Sequence, residues 1–339
     1  MAKDFNIAVA GATGAVGAVM LKLLEERGLP IASIRPLASA RSAGQPVTFA
    51  GEEVEVQELT AASFEGIDIA LFSAGGARSK EFAPAAVEAG AVVIDNSSAF
   101  RMESNVPLVV PEVNPEDVKW HEGIIANPNC STIQMVVALR PIYEAVGIER
   151  IVVTTFQSVS GTGKSAIEEL FDQSEAMLES GEIVANVYPH QIAFNVLPHI
   201  EHFHDDGYTN EEMKMINETR KIFGDPGLRV TATCARVPVF TGHSESVNIK
   251  TSRPVSVEEV RRLMLDAPGI ALVDDPENLE YPMPLTAAGR DEVMVGRIRA
   301  DASEENSLNL WVVSDNLRKG AATNAIQIAE LLVSTGVLE

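Results

Sequence analysis

Apolar and polar positions divide the chain into two stretches of different texture. In the first, short apolar runs of strand length alternate with helical spacing. Phe5 to Ala10 is an apolar run broken only by Asn6, and Gly11-Ala12-Thr13-Gly14-Ala15-Val16-Gly17 interrupts it. Ala18 to Arg27 then carries the period of an amphipathic helix that stops at Gly28. Ile31 to Ala38, Ile67 to Ala74, Ala91 to Asp95, Val106 to Val113 and Gly123 to Ala126 read as further strands, and Ser79 to Ala89 as a helix. Such alternation predicts a parallel, doubly wound sheet, with ligands at the carboxyl ends of its strands.

Beyond a helix ending near Gly147 the runs lengthen and partly alternate. Glu149 to Ser160, Leu228 to Val239, Ser244 to Thr251, Val293 to Ala300 and Ser307 to Ser314 are separated by few helices, which predicts a mixed or antiparallel sheet covered on one face. Gly320 to Leu332 is apolar enough to form a helix that docks back on the first domain. The expected architecture is therefore α/β. An N-terminal Rossmann-type sheet over 1–130 is completed by a C-terminal helix over 319–339, and a second α+β domain spans 131–318.

Composition narrows the function. A chain of 339 residues, 46% hydrophobic, is about two domains' worth. With 26 basic against 48 acidic residues the net charge is −22, which repels nucleic-acid backbones and anionic membranes. An anionic substrate must then be gathered by a few well-placed Arg and Lys. No run of 18 apolar residues occurs, and Met1-Ala2-Lys3-Asp4-Phe5-Asn6 passes into a strand without a signal-peptide pattern, so a cytoplasmic protein is expected. Two cysteines, Cys130 and Cys234, do not make a disulfide framework, and reduced thiols are expected. There is no internal repeat and no low-complexity tract.

The glycine turn lies between a strand and a helix, where backbone must approach a pyrophosphate and the helix N-terminus faces it; Gly11, Thr13, Gly14, Ala15 and Val16 are the expected contacts. The second strand ends in Ser39-Ala40-Arg41-Ser42, with no carboxylate for ribose hydroxyls. Ala40, Arg41 and Ser42 suit the 2′-phosphate of NADP, although a solvated polar loop has the same composition. Asn127-Pro128-Asn129-Cys130-Ser131-Thr132 falls between a short strand and an apolar helical run, Ile133 to Leu139. A thiol at a helix N-terminus is stabilised as thiolate, hence as a nucleophile, while a small buried core cysteine fits the same residues. His243, in a turn between two strands, is the histidine best placed to serve Cys130 as a base. Arg236 on the preceding strand, Arg101 after the fourth strand, and Lys214 three residues beyond Glu211 on one helix are candidate charged ligands, and spacing alone leaves solvated charge open for each. Two patterns mislead. Gly161-Thr162-Gly163-Lys164-Ser165 lacks the first glycine of a triphosphate loop, and His199-Ile200-Glu201-His202-Phe203-His204 has no complete zinc spacing, so no metal is expected.

Taken together, Gly11 to Gly17, Ser97-Ser98-Ala99-Phe100-Arg101, Asn127 to Thr132, Gln157-Ser158-Val159-Ser160-Gly161, Arg236-Val237-Pro238-Val239, Gly242-His243-Ser244-Glu245 and Ser314 to Ala322 resemble the bacterial aspartate-β-semialdehyde dehydrogenases in order along nearly the whole chain. The sister N-acetyl-γ-glutamyl-phosphate reductases typically have glycine where this chain has Asn129. The resemblance implies that Cys130 attacks the aldehyde, His243 takes its proton, and Gln157 orients the intermediate. It implies further that Arg236 clamps the substrate α-carboxylate, Glu211 meets its α-amino group, and Arg101 with Lys214 holds inorganic phosphate. Ser160, Gly161 and Asn316 join the NADP contacts, and the protein is expected to be a homodimer. The reaction would be reversible, NADPH-dependent conversion of L-β-aspartyl phosphate to L-aspartate-4-semialdehyde through a cysteine thioester, serving lysine, threonine and methionine synthesis. A cysteine–histidine hydrolase and an NADP-binding redox sensor on the same fold are the competing readings.

Arg41→Ala is expected to weaken NADP binding about ten- to a hundredfold, the worth of one charge-assisted contact, and to leave NAD binding nearly unchanged. Titration of both cofactors by fluorescence checks it, since equal losses would place Arg41 at the adenosine shared by both.

Overall fold

The computed structural model describes residues 4–336 and Leu338. Residues 1–3, 337 and 339, at the ends of the expected domains, lie outside the described residues. The chain forms two compact units, one of residues up to Asn129 together with those from Ala321 onward, the other Cys130–Gly320.

In the first unit the strands are β1 (Phe5–Ala10), β2 (Ile31–Ala38), β3 (Pro46–Phe49), β4 (Glu52–Glu55), β5 (Gln57–Glu58), β6 (Ile69–Phe72), β7 (Val92–Asp95) and β8 (Ile124–Ala126), with helices α1 (Ala15–Arg27) and α2 (Gly76–Glu88) between them. Six strands make one sheet in the order β5-β2-β1-β6-β7-β8, every pair parallel, while β3 and β4 form a separate hairpin. The strand order reverses between β1 and β6, the crevice where such sheets bind ligands. Burial on both faces explains why the strands read as continuous apolar runs.

Val106 to Val113 is not a strand. Its residues 106–110 are buried, but Pro107 and Pro111 cannot donate to a ladder, and only an isolated bridge from Leu108 to Ala126 remains. Helix α1 also starts three residues earlier than its periodicity suggests, at Ala15.

The second unit contains α3 (Cys130–Val146), β9 (Ile148–Gln157), α4 (Lys164–Glu179), α5 (Asn210–Phe223), β10 (Arg229–Arg236), β11 (His243–Thr251), α6 (Val257–Asp266), β12 (Ile270–Leu272), α7 (Pro284–Ala287), β13 (Val293–Ala300) and β14 (Ser307–Ser314). Its sheet has the order β10-β9-β11-β14-β13-β12. It is mixed, because β10 with β9 and β12 with β13 run parallel and the other pairs antiparallel. No helix among the described residues is long and apolar enough to cross a membrane.

The last helix, α8 (Thr323–Ser334), belongs to the first unit. Alternation along β1 sends Ile7 and Val9 into a cluster with Met20, Leu23 and Leu24 of α1 and Ile326, Ala329 and Leu332 of α8, while Ala8 and Ala10 face the α2 side with Ala83 and Ala86. The same helix pair is joined by a two-pronged ion pair, Arg27 Nε to Glu330 Oε1 at 2.7 Å and Nη2 to Oε2 at 2.8 Å.

Burial outweighs charge here, since Ile326 is fully buried whereas the Arg27 and Glu330 side chains remain 26% and 32% exposed. Ile326→Ala is expected to cost about 2–5 kcal/mol and Glu330→Gln no more than about 1 kcal/mol. Equilibrium urea unfolding checks the pair; losses of equal size would make the ion pair the main fastening of α8.

Candidate active site

Four strands bring the polar residues of the second unit together. Arg236 on β10 stands level with Gln157 on β9, and His243 on β11 stands level with Ser314 on β14. Because Ser244 pairs with Phe156, His243 lies at the height of Gln157, so one rung across four strands carries Arg236, Gln157, His243 and Ser314 on one face. His243 therefore opens a strand and does not sit in a free turn. The next residues on that face, Cys234, Thr155 and Glu245, form a second buried rung.

Cys130 is the first residue of α3 and is partly buried. Its turn is packed from outside by Gly320, where a Cβ would stand 2.9 Å from Cys130 Cβ and 3.6 Å from Asn316 Cβ. Gln134, one turn along the same helix face, donates to the His243 carbonyl at 3.4 Å and accepts from Ser314 Oγ at 2.7 Å. Helix α3, which Cys130 opens, is thus tied to the strand that carries His243. Gly320 carries no chemistry and left no signal in the sequence.

His243 is fully buried. Its Nδ1 accepts from the Ser158 backbone N–H at 3.0 Å, with Ser158 Oγ also 3.0 Å away. Burial first, and the Arg236 charge second, bring its pKa from 6.5 down to about 3, against a smaller opposite pull from Glu211. Arg236 donates from Nη1 to the Ser158 carbonyl at 2.8 Å, and its Nε has no hydrogen-bond partner among the described residues. An added Cβ on Gly161 would lie 3.2 Å from both Arg236 Nη1 and His243 Nε2, so the two polar tips converge over a position that only glycine leaves open.

Gln157 donates to Glu211 Oε1 at 2.9 Å, and Glu211 Oε2 receives Lys214 Nζ at 3.2 Å; Lys214 also pairs with Glu201. The capping box at Thr209, with Glu212 at its third position, starts α5 where Glu211 and Lys214 project together. Asn316 Oδ1 accepts from the Gly242 N–H at 2.9 Å and from Ser158 Oγ at 3.0 Å, and Asn316 Nδ2 donates to Ser160 Oγ at 2.9 Å. Asn316 and Ser160 thereby brace the loop that holds His243.

Tyr188 was not legible as a site residue. Its ring centre lies 6.0 Å from the Arg236 guanidinium, and it is placed by α4, whose Glu169 carboxylate accepts the backbone N–H groups of Asn186, Val187 and Tyr188.

In the first unit, Gly11 adopts φ +89 and a Cβ there would meet Ser73 O at 2.3 Å, while a Cβ on Gly17 would meet Gly11 O at 2.1 Å. These contacts force the turn tight, and the N-terminus of α1 behind it has no side-chain cap. Thr13, Ala15 and Val16 lie in that turn and first helical turn, so the cradle fits a pyrophosphate. Ala40, Arg41 and Ser42 follow β2, at its carboxyl end. Arg101, buried, donates from Nε to Asn127 O at 2.9 Å and from Nη2 to Asn96 O at 2.9 Å, tying the segments that follow β7 and β8. Among the described residues no group of three or more His, Cys, Asp and Glu side chains could hold a metal.

Glu245 is a further titratable group that the sequence did not mark. It is fully buried, and neither carboxyl oxygen has a hydrogen-bond partner among the described residues. Burial pushes its pKa well above the ordinary 4.5; the Gln134 side chain opposes the rise and the Glu211 charge adds to it. A carboxyl whose folded pKa is raised contributes stability that is complete below its unfolded pKa and is lost as pH rises through the folded one. Stability carried by Glu245 is therefore expected to fall from about pH 4.5 upward, and Glu245→Gln to flatten that limb of a urea-unfolding profile. An unchanged limb would assign the dependence to other groups.

Family models for the semialdehyde dehydrogenase NAD binding domain and the semialdehyde dehydrogenase dimerisation domain match residues 6–121 and 139–319. The chain is similar to aspartate-semialdehyde dehydrogenase of Aquifex aeolicus (strain VF5), 59% identical over 98% of this chain and 99% of the relative. It is 55% identical to that of Bacillus subtilis (strain 168), over 98% of each chain. The crystal structure of aspartate semialdehyde dehydrogenase II complexed with ASA from Vibrio cholerae superposes with a TM-score of 0.95 at 52% identity, covering 98% of this chain and 99% of that one. The chain belongs to the aspartate-semialdehyde dehydrogenase family.

Proposed function

We propose that this chain interconverts L-β-aspartyl phosphate and L-aspartate-4-semialdehyde with NADP(H), through an acyl thioester on Cys130. The observation that carries the reading is the pairing of Cys130 at a helix N-terminus with a buried rung of Arg236, Gln157 and His243. A helix N-terminus favours the thiolate. Arg236, held at Ser158 O and with Nε unspent, suits a bidentate grip on the substrate carboxylate. Glu211 suits its ammonium group, and Gln157, already hydrogen-bonded to Glu211, orients the bound carbonyl compound. His243 is the catalytic imidazole.

When bound, the nicotinamide cofactor supplies hydride acceptance and donation. We assign its contacts to Gly11, Thr13, Gly14, Ala15, Val16, Ala40, Arg41, Ser42, Ser160, Gly161 and Asn316, with Arg41 selecting NADP through its 2′-phosphate. Arg101 and Lys214 are assigned to phosphate, the nucleophile that releases the thioester; in a chain of net charge −22 such an anion needs dedicated cations. Neither Cys130 nor Cys234 forms a disulfide among the described residues, which suits thiol chemistry in a reducing cytoplasm. Exposed Phe171, Leu178, Phe194 and Phe203 of the second unit suit burial in a homodimer. The hydrolase and redox-sensor readings leave Arg236 and Glu211 without a task.

Cys130→Ser is expected to abolish turnover while NADP binding survives, because a hydroxyl is a far weaker nucleophile than a thiolate near neutral pH. Retention of more than about a tenth of the rate, read at the nicotinamide absorbance, would contradict covalent catalysis. Lys214→Met is expected to raise the KM for phosphate about ten- to a hundredfold yet spare a single-turnover burst of NADPH. Rapid mixing with and without phosphate separates the two; a lost burst at unchanged phosphate KM would remove Lys214 from the phosphate site.

A further inference from the structure

Residues 181–196, between α4 and α5, form no helix or strand, so their backbone groups need partners of another kind. Two buried side chains one turn apart on α4 supply them. Glu169 accepts the N–H groups of Asn186 and Val187 at 2.6 Å each and of Tyr188 at 3.2 Å. Gln173 accepts those of Ile192 and Ala193 at 2.9 and 3.1 Å and donates to Val184 O at 2.8 Å. Farther on, Leu197 exchanges both backbone hydrogen bonds with Arg236, at 2.9 and 2.8 Å, on the edge strand β10. The segment thus reaches Arg236 twice, at its main chain through Leu197 and at its guanidinium through the Tyr188 ring, whose centre is 6.0 Å away. That ring packs with Val159, Leu170 and Ile192 in one apolar cluster, and its hydroxyl donates to Thr162 Oγ1 at 2.9 Å. Burial raises the phenol pKa above its ordinary 10.0, against the Arg236 charge, so the hydroxyl keeps the proton it donates.

Arg236 is buried, its Nη1 is spent on Ser158 O, and its Nε has no hydrogen-bond partner among the described residues. A guanidinium grips a carboxylate through two parallel N–H groups only while its plane is held, and water against its face weakens the pair. We propose that Tyr188 is a positioning residue for the substrate α-carboxylate: its ring covers one face of Arg236 and holds the guanidinium plane so that the Nε edge meets the carboxylate. The proposal rests on the reading of Arg236 as the carboxylate clamp. A ring suits this task better than an acidic side chain. A carboxylate beside Arg236 would take its N–H groups and compete with the substrate, whereas a π face attracts the cation and consumes none of them. Glu169, the carboxylate that places Tyr188, is itself occupied by three backbone N–H groups. Tyr188 makes and breaks no bond in the reaction and acts through Arg236 alone.

Initial-rate kinetics of the full-length protein with aspartate semialdehyde, NADP⁺ and phosphate test this. Tyr188→Leu is expected to raise the KM for aspartate semialdehyde about three- to thirtyfold, with kcat and the KM values for phosphate and NADP⁺ moving less than about twofold. Tyr188→Phe, which keeps the ring face, is expected to stay within about threefold of the wild-type KM. β-Aminopropionaldehyde, which has the aldehyde and the amino group but no α-carboxylate, serves as a competitor. Its inhibition constant is expected to change less than about twofold in Tyr188→Leu. An unchanged KM for aspartate semialdehyde would overturn the proposal. So would an equal rise in the competitor's inhibition constant, which is what loosened packing alone produces. Protection of Cys130 against iodoacetamide by the two aldehydes tests the reading beneath. In Arg236→Met the two are expected to protect equally; a retained preference for aspartate semialdehyde would remove Arg236 from the carboxylate, whatever Tyr188→Leu does.

Discussion

Both backbone groups of one residue, Ser158, hold the charged and polar tips of the second unit. Its N–H occupies His243 Nδ1 and its carbonyl receives Arg236 Nη1, so the loop leaving β9 sets the imidazole and the guanidinium with a single peptide geometry. Neither contact can be given up cheaply, because every polar atom involved is buried and an unpaired buried group costs about 1–3 kcal/mol. Asn316 closes the arrangement by bonding Gly242 on one side and Ser158 and Ser160 on the other. These bonds hold side chains from β9, β10 and β11 at a shared point.

The remainder of the unit is built around the desolvation this creates. A sheet face carrying Arg236, Gln157, His243 and Glu245 would be costly to bury alone, and α3 and α5 cover it with Gln134 and Glu211, side chains that bond to members of the row. Opposite shifts at His243 and Glu245 follow from one cause. Burial disfavours charge, which lowers the pKa of a base and raises that of an acid, so both shifts favour the neutral form. The overall charge of −22 acts separately, at long range, and repels anions from the protein as a whole.

Local chemistry was legible in the sequence, and long-range register was not. The glycine turn after β1 announced itself because tight turns and close backbone approach have few substitutes. Cys130 at the start of α3 could be placed from the change of period around it. By contrast, the short strand β12 and the hairpin of β3 and β4 carry too little contrast in few residues. Val106 to Val113 read as a strand because its burial is real, yet Pro107 and Pro111 withhold the ladder. The level alignment of Arg236, Gln157 and His243 depends on strand pairing between residues up to 86 positions apart, from Gln157 to His243 (243 − 157), which no local pattern encodes. Ser158 was hard to see in the sequence because its bonds to His243 and Arg236 run through backbone groups that nearly every residue type carries.

The central claim is a covalent acyl group on one of two cysteines. Incubation with aspartate semialdehyde and NADP⁺ in the absence of phosphate, acid quench and peptide mass spectrometry reads it directly. The expected result is an aspartyl adduct on the peptide containing Cys130, discharged on adding phosphate, with Cys234 unmodified because burial pushes its thiol pKa well up. An adduct on Cys234, or NADPH formed with no adduct on either cysteine, would contradict it.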